Sequence, residues 1–286
     1  MDTILAEHLI EAGRKRLERE VERFSREGDE DVQARELLEH AAGGDVYDDD
    51  EIDPPTIRRY ESLLERRATG EPVAYIRGFE EFRGMRLTVK PGAFIPRDTT
   101  QFLAEQAIRR LRRRRDPVAV DIATGVGAVA IAIAREVPRT SVYGTDIAPV
   151  ALGLARANAR RYRLGNVRFV SGSGFEPLPR KIRGSVDVIV SHPPYVPTHE
   201  VPELPVELLH YEPVESLTDS SADGLGFIRM LVTESRDWLK PDGWLLIEVG
   251  PDVSRPVRTL LTRGGYTEVR STRGTSPWSR VVVAKR

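Results

Sequence analysis

The chain has 286 residues, with 43 Lys and Arg against 44 Asp and Glu, 40% hydrophobic residues and no cysteine. Without thiols it has no disulfide framework, thiolate zinc site, iron–sulfur cluster or cysteine nucleophile. Its five histidines, His8, His40, His192, His199 and His210, form no His-Glu-x-x-His pattern, so no metal site is expected.

The balanced charge argues against a nonspecific polyanion binder, and no direct contact with nucleic acid is expected. A chain of this length lies where a single core gives way to two domains. Acids at Asp2 and Glu7 interrupt any signal-peptide pattern, and the longest apolar run, Ala128 to Ala134, is far shorter than the ~20 residues of a membrane span. A cytoplasmic protein with no membrane partner is the expectation.

Residues 1–70 read as a small all-helical domain without strands. Leu5, Leu9, Ala12, Leu17, Val21 and Phe24 fall near a helical period, Leu37, Leu38 and Ala41 precede the Gly43-Gly44 stop, and Ile57, Tyr60, Leu63 and Leu64 follow Pro54-Pro55. Residues 71–97 shift toward a period of two at Phe82, Met85, Leu87 and Val89, which predicts a hairpin linking two domains. Asp98-Thr99-Thr100-Gln101 reads as a capping box opening a helix, and Arg109 to Arg115 as its solvated, cationic last turn.

From Pro117 strands and helices alternate. Strands are expected at Val118–Ile122, Ser141–Thr145, Val167–Val170, Val186–Val190 and Trp244–Val249, and helices at Gly127–Glu136, Pro149–Tyr162 and Leu225–Leu239. That order predicts an α/β, doubly wound parallel sheet, closed by an antiparallel hairpin of Tyr266–Arg270 and Arg280–Ala284.

The first βα turn reads Asp121-Ile122-Ala123-Thr124-Gly125-Val126-Gly127, and Asp146 ends the next strand. Glycines let a ligand approach the backbone, and a carboxylate one strand on suits ribose hydroxyls, so a nucleoside-containing cofactor is expected. A nicotinamide dinucleotide and S-adenosylmethionine both fit such a loop. Asp121 favours the second, because that molecule has an ammonium and no phosphate. Ser191-His192-Pro193-Pro194-Tyr195 follows the fourth strand. Its prolines fix the backbone and leave carbonyls free to accept from a nitrogen, while Tyr195 offers a flat face.

Almost the whole chain resembles the HemK/PrmC family of protein-(glutamine-N(5)) methyltransferases, which modify a glutamine of peptide chain release factors. The resemblance rests on Gly70 to Ile76, Phe94-Ile95-Pro96-Arg97, Asp121 to Gly127, His192 to Tyr195, Glu212-Pro213 and Asp223-Gly224-Leu225. It implies a seven-stranded, Rossmann-like class I methyltransferase domain over 98–286, a substrate-recognition role for 1–70 and S-adenosyl-L-methionine as cofactor. By the same resemblance, Asp121, Thr124, Gly125, Gly127, Asp146 and Ser173 would hold the cofactor. His192, Pro193 and Tyr195 would be catalytic, with Pro194 and Arg97 joining them around the substrate.

The chain departs from the family at three places. The family's motif is Asn-Pro-Pro-Tyr, and His192 stands where Asn belongs; Ser171 to Phe175 lacks the usual acidic residue near the adenine; and Asp98 to Gln101 replaces the usual Pro-Glu/Asp-Thr-Glu. The family's Asn accepts from a substrate NH2 group. Histidine keeps that role only as the neutral imidazole, and it adds the ability to act as a base.

The expectation is therefore an N-methyltransferase diverged toward an amino or guanidino nitrogen of a small molecule such as an amino acid. A release-factor glutamine methyltransferase and a catalytically silent binding protein are the alternatives. The acidic segment 199–224, with His199 and His210, is either a solvated loop or a lid over a cationic partner. Glu248 faces the site only if its strand parity allows. Oligomeric state is left open.

Overall fold

A computed structural model describes residues 3–21 and 29–286; Phe24, counted above in the first helical period, lies outside them. The chain divides into two compact units, one of 1–79 with 203–212 and one of 80–202 with 213–286.

In the first unit, strand β1 (Ile4–Leu5) leads into α1 (Ala6–Val21), followed by α2 (Glu30–Ala42), strand β2 (Glu51–Ile52), α3 (Pro54–Ala68) and α4 (Val73–Arg77). Leu9, Ile10, Leu17, Leu37, Leu38 and Tyr60 form its core. The sequence predicts no strand here, yet β1 and β2 pair antiparallel through Ile4 and Ile52. Two-residue strands are too short to leave a periodicity. Asp53 caps α3 by accepting from the Thr56 amide at 2.8 Å, with Pro54 pre-set for the first turn. Gly13 is required by packing, since a Cβ there would lie 2.0 Å from the Tyr60 hydroxyl. Arg67 is fully buried and is neutralised by Glu207 at 3.0 Å, with Gln33 accepting from its Nε at 2.8 Å.

Strands β3 (Phe79–Phe82) and β4 (Met85–Thr88) make a two-stranded sheet joined through Arg83 and Gly84, both at positive φ. Then come α5 (Thr100–Leu111), β5 (Val118–Ile122), α6 (Ala128–Glu136), β6 (Ser141–Asp146), α7 (Pro149–Arg161), β7 (Val167–Ser171) and β8 (Val186–Ser191). They are followed by α8 (Val206–Tyr211), α9 (Gly226–Trp238), β9 (Leu239–Val249), α10 (Pro251–Arg263), β10 (Thr267–Thr272) and β11 (Arg280–Lys285). The capping box at 98–101 does not form. Thr99 is already helical, the Gln101 amide donates to the Asp98 carbonyl, and the Asp98 carboxylate accepts from the Gln101 side chain instead.

The second unit is built on a seven-stranded sheet in the order β10-β11-β9-β8-β5-β6-β7. The strands from β9 to β7 run parallel, and β11 and β10 complete the sheet antiparallel. Consecutive residues of the central strands enter opposite cores. Val188, Val190 and Leu246 pack on the face covered by α5 and α6, whereas Ile189, Leu245, Ile247 and Val249 pack on the face of α9 and α10. Burial on both faces is why these strands read as mostly apolar runs, interrupted in β5 and β8 by the buried Asp121 and Asp187. The chain starts at β5, moves out through β6 and β7, and returns to the other side at β8. The β5–β8 boundary is thus the switch point, where the carboxyl ends of the strands leave a ligand crevice.

Candidate active site

A cavity of about 370 Å³ opens at these carboxyl ends, lined by Asp121, Thr124, Gly125, Asp146, Ser173 and His192 among others. At one end β5 runs into a loop wound through left-handed positions, with φ of +59° at Ala123, +55° at Gly125 and +86° at Gly127. Glycine adopts these angles without strain, but alanine does so at a cost of about 1 kcal/mol, and such strain is commonly kept where a ligand needs the backbone in one shape. The loop is tied down by the Thr124 amide, which donates to the Thr145 carbonyl at 3.0 Å.

Two carboxylates stand on this loop and the next. Asp146 accepts from the Gly125 amide at 2.8 Å with one oxygen and from the Ala148 amide at 2.9 Å with the other. Each oxygen keeps a lone pair for a further donor. Burial raises its affinity for a proton, and the Ala148, Gly125 and Ile147 amides pull the other way. Asp121 accepts at a single oxygen from the Thr124 hydroxyl at 2.6 Å and the Ala130 amide at 3.1 Å. Burial pushes its carboxyl up to about 7, against the pull of those two donors. A buried acid held near neutrality is one that gains from a cationic partner. Beside Asp146, Ile147 is 57% exposed and lines the cavity, offering apolar surface to a flat ring.

These residues fit S-adenosylmethionine. The cavity is the size of a small-molecule site, Asp121 is a buried acid of the kind that suits an ammonium, Asp146 keeps acceptor capacity suited to hydroxyl donors, and no anchor for a phosphate is needed.

The other end is built around His192, just past β8. Its Nδ1 lies 3.2 Å from the Thr100 hydroxyl and 3.8 Å from a Glu248 carboxylate oxygen. The Phe94 ring meets the imidazole edge-on at 5.6 Å between centroids, and Tyr195 stacks on it at 6.0 Å. Glu248 is buried among apolar neighbours. Its other oxygen accepts from the Ser279 hydroxyl at 2.8 Å, and the oxygen nearest His192 has no hydrogen-bond partner among the described residues. Strand parity settles its direction, since Leu246 two residues earlier enters the α5 face and Ile247 and Val249 the opposite one.

Over residues 119–209 the chain matches the family model described as a methyltransferase domain, and over 8–78 that of the PrmC N-terminal domain. It is 36% identical over 251 residues to the release factor glutamine methyltransferase of Geobacter sulfurreducens, covering 86% of each chain. It is 38% identical over 224 residues to that of Vibrio cholerae, covering 78% of this chain and 77% of the other. This chain belongs to the release factor glutamine methyltransferase family. The catalytic domain of hMettl16 shares the fold at a TM-score of 0.58 and 14% identity, over 78% of this chain and 81% of that one.

Membership makes the protein an S-adenosylmethionine-dependent N-methyltransferase, and it corrects one expectation. Relatives of this extent carry the release-factor activity in their names, so the small amino or guanidino substrate read from His192 is without support. Of the residues singled out in the sequence, Asp121, Thr124, Gly125, Asp146, Ser173, His192 and Pro194 line the cavity.

The others stand behind it. Gly127 ends the loop where a Cβ would meet Phe169 at 2.9 Å. Pro193 is buried, Tyr195 lies on His192 with Gly250 close to its ring, and the Arg97 guanidinium lies 4.4 Å above the Phe94 ring. His199 is exposed beside Glu200, and His210 lies on α8.

Sequence reasoning did not anticipate Thr100, Phe94 or Ser279 in the site. Thr100 sits in the stretch after Ile95-Pro96-Arg97, which was a usable signal; Ser279 left none. In the same region, Asp223-Gly224-Leu225 gains a physical meaning. A Cβ on Gly224 would lie 2.2 Å from the Tyr195 carbonyl oxygen, so glycine lets the two segments close on each other.

Proposed function

We propose that the protein methylates the side-chain amide nitrogen of a glutamine in a peptide chain release factor. The observation that carries this reading is that His192, whose imidazole when neutral can accept from an N–H, lines the same cavity as Asp121 and Asp146. The named relatives supply the substrate class. When bound, S-adenosylmethionine supplies an electrophilic methyl group.

The rest of the chemistry falls to the chain. Asp121 would hold the ammonium, Asp146 the ribose hydroxyls, and Gly125 and Ser173 the cavity wall between them. The Pro193 carbonyl and His192 would accept from the amide NH2, turning the nitrogen lone pair toward the methyl carbon, and Tyr195 would keep the imidazole in plane. Orientation of this kind converts a poor nucleophile into an adequate one by proximity. Residues 1–70 are assigned to substrate recognition and 98–286 to methyl transfer, with 71–97 between them. The match of 8–78 to the PrmC N-terminal domain supports the first of these.

The test is to incubate the protein with labelled methyl donor and either an intact release factor or a panel of free amino acids and guanidino compounds. The expected outcome is label on a glutamine of the release factor, located by mass spectrometry, and none on the panel. Transfer to a panel member with none to the factor would overturn the assignment. Calorimetry showing no binding of the methyl donor would favour a silent binding protein instead.

A further inference from the structure

We propose that Glu248 is a positioning residue for His192: together with Thr100 it fixes the imidazole as the tautomer protonated at Nδ1, leaving the Nε2 lone pair for the substrate nitrogen. The inference rests on the acceptor role of His192 proposed above and supplies what that role requires. A neutral imidazole has one donor and one acceptor nitrogen, so a histidine in place of an amide oxygen is useful only if the correct nitrogen carries the proton.

Three observations point to Glu248 as the group that decides. It is 1% exposed and flanked in its strand by the buried Leu246, Ile247 and Val249, a costly place for a carboxylate without a partner. Ser279 donates to one of its oxygens at 2.8 Å and so fixes the side chain. The other oxygen is buried, accepts no hydrogen bond from the described residues, and lies 3.8 Å from His192 Nδ1.

A carboxylate at that point repels a lone pair on Nδ1 and attracts an N–H. The Thr100 hydroxyl, 3.2 Å from the same nitrogen, can accept that N–H while donating elsewhere. The 3.8 Å separation is long for a hydrogen bond but within direct ion-pair range, and catalytic hydrogen bonds are often long before substrate binds. Phe94 and Tyr195 hold the ring against rotation about its own axis.

The pair also accounts for the proton. As the amide nitrogen forms its bond to the methyl carbon, the carbon–sulfur bond breaks with its electrons going to sulfur, and the nitrogen must shed one proton. Nε2 takes it, and the imidazolium so formed lies beside the Glu248 carboxylate.

Nitrogen-15 NMR of the imidazole in the intact protein reads the tautomer directly. Wild type is expected to carry the proton on Nδ1, and Glu248→Gln to shift it toward Nε2, because the new amide can donate to Nδ1. In the same variant kcat should fall at least about tenfold, as when a triad histidine loses its orienting carboxylate, while KM for the methyl donor stays within about twofold. In a His192→Asn background, Glu248→Gln should cost nothing further in kcat, since nothing is left to orient.

An Nε2-protonated wild type overturns the proposal even if the variants fail to fold. So does an additional loss of kcat in the His192→Asn background, which would mark a merely structural role. Full turnover in His192→Ala would instead remove the reading of His192 itself; a dead His192→Ala with an unaffected Glu248→Gln would remove only the role of Glu248.

Discussion

At the cofactor end of the cavity, Asp146 is held by the main-chain amides of Gly125 and Ala148, and Asp121 by one amide and one hydroxyl three residues away. At the substrate end, His192 is held by side chains alone, from Thr100, Glu248, Phe94 and Tyr195. The difference bears on how each end can change. Main-chain donors are present whatever the side chains are, so side-chain changes on the neighbouring loop, Ser171 to Phe175, leave Asp146 held as before. A side chain held by side chains has no such insurance. On the proposed reading, a histidine acceptor at 192 is useful only with Thr100 and Glu248 standing behind it.

The sharpest way to break this comparison is to remove the imidazole. His192→Ala should reduce kcat by about 10²–10⁴, the usual contribution of a positioned acid–base group, and leave affinity for the methyl donor unchanged in calorimetry. Weakened donor binding would mean that the two ends are one structure. Asp146→Ala should show the reverse pattern. Two charge-assisted hydrogen bonds from the main chain and the proposed contacts to ribose would be lost together, so donor affinity should drop roughly ten- to a hundredfold. The kcat at saturating donor should stay within a few-fold; a collapse of kcat with unaltered affinity would contradict the division.

Packing gives a third test. A Cβ on Gly144 would lie 2.7 Å from the Phe169 ring and 2.9 Å from the Thr124 hydroxyl. Gly144→Ala should therefore cost about 1–3 kcal/mol in denaturant unfolding, the usual penalty of overpacking. It should disturb donor binding through Thr124 before it touches His192.

The same contrast explains what was legible in the sequence. The sheet could be read because strands buried on both faces are apolar at nearly every position, Asp121 and Asp187 being the charged exceptions in β5 and β8, and the cofactor loop because its parts lie within a few consecutive residues. The substrate end joins Thr100, His192, Glu248 and Ser279, brought together only by α5, β8, β9 and the turn before β11. Such separations leave no local pattern, so Glu248 was visible only as a question of parity. Helix α10 leaves no such signal because Pro256 lies inside it, past the first turn where proline is tolerated, and reads as a breaker. The β1–β2 pair was missed because two residues cannot display a period.

The finest test concerns the charge of Asp121. Its carboxyl titrates at about 7 when folded, against 3.8 for the ordinary side chain, because burial disfavours the anion. Between those values the folded protein holds a proton that the unfolded chain has released. The contribution to stability is therefore full below about pH 4 and is lost as pH rises through about 7. Asparagine does not titrate, so the stability of wild type relative to Asp121→Asn should decline across this window, by at most about 1.4 kcal/mol per pH unit, and level off above it.

Donor binding should move the opposite way. An ammonium beside Asp121 favours the anion, so wild-type affinity for S-adenosylmethionine should strengthen from pH 6 to 8 relative to the variant, a ratio from which the donor's own titration cancels. Melting curves and calorimetry on the two proteins measure both slopes. Parallel pH profiles would mean that Asp121 only anchors the start of α6 through Ala130, and that the ammonium is held elsewhere in the cavity.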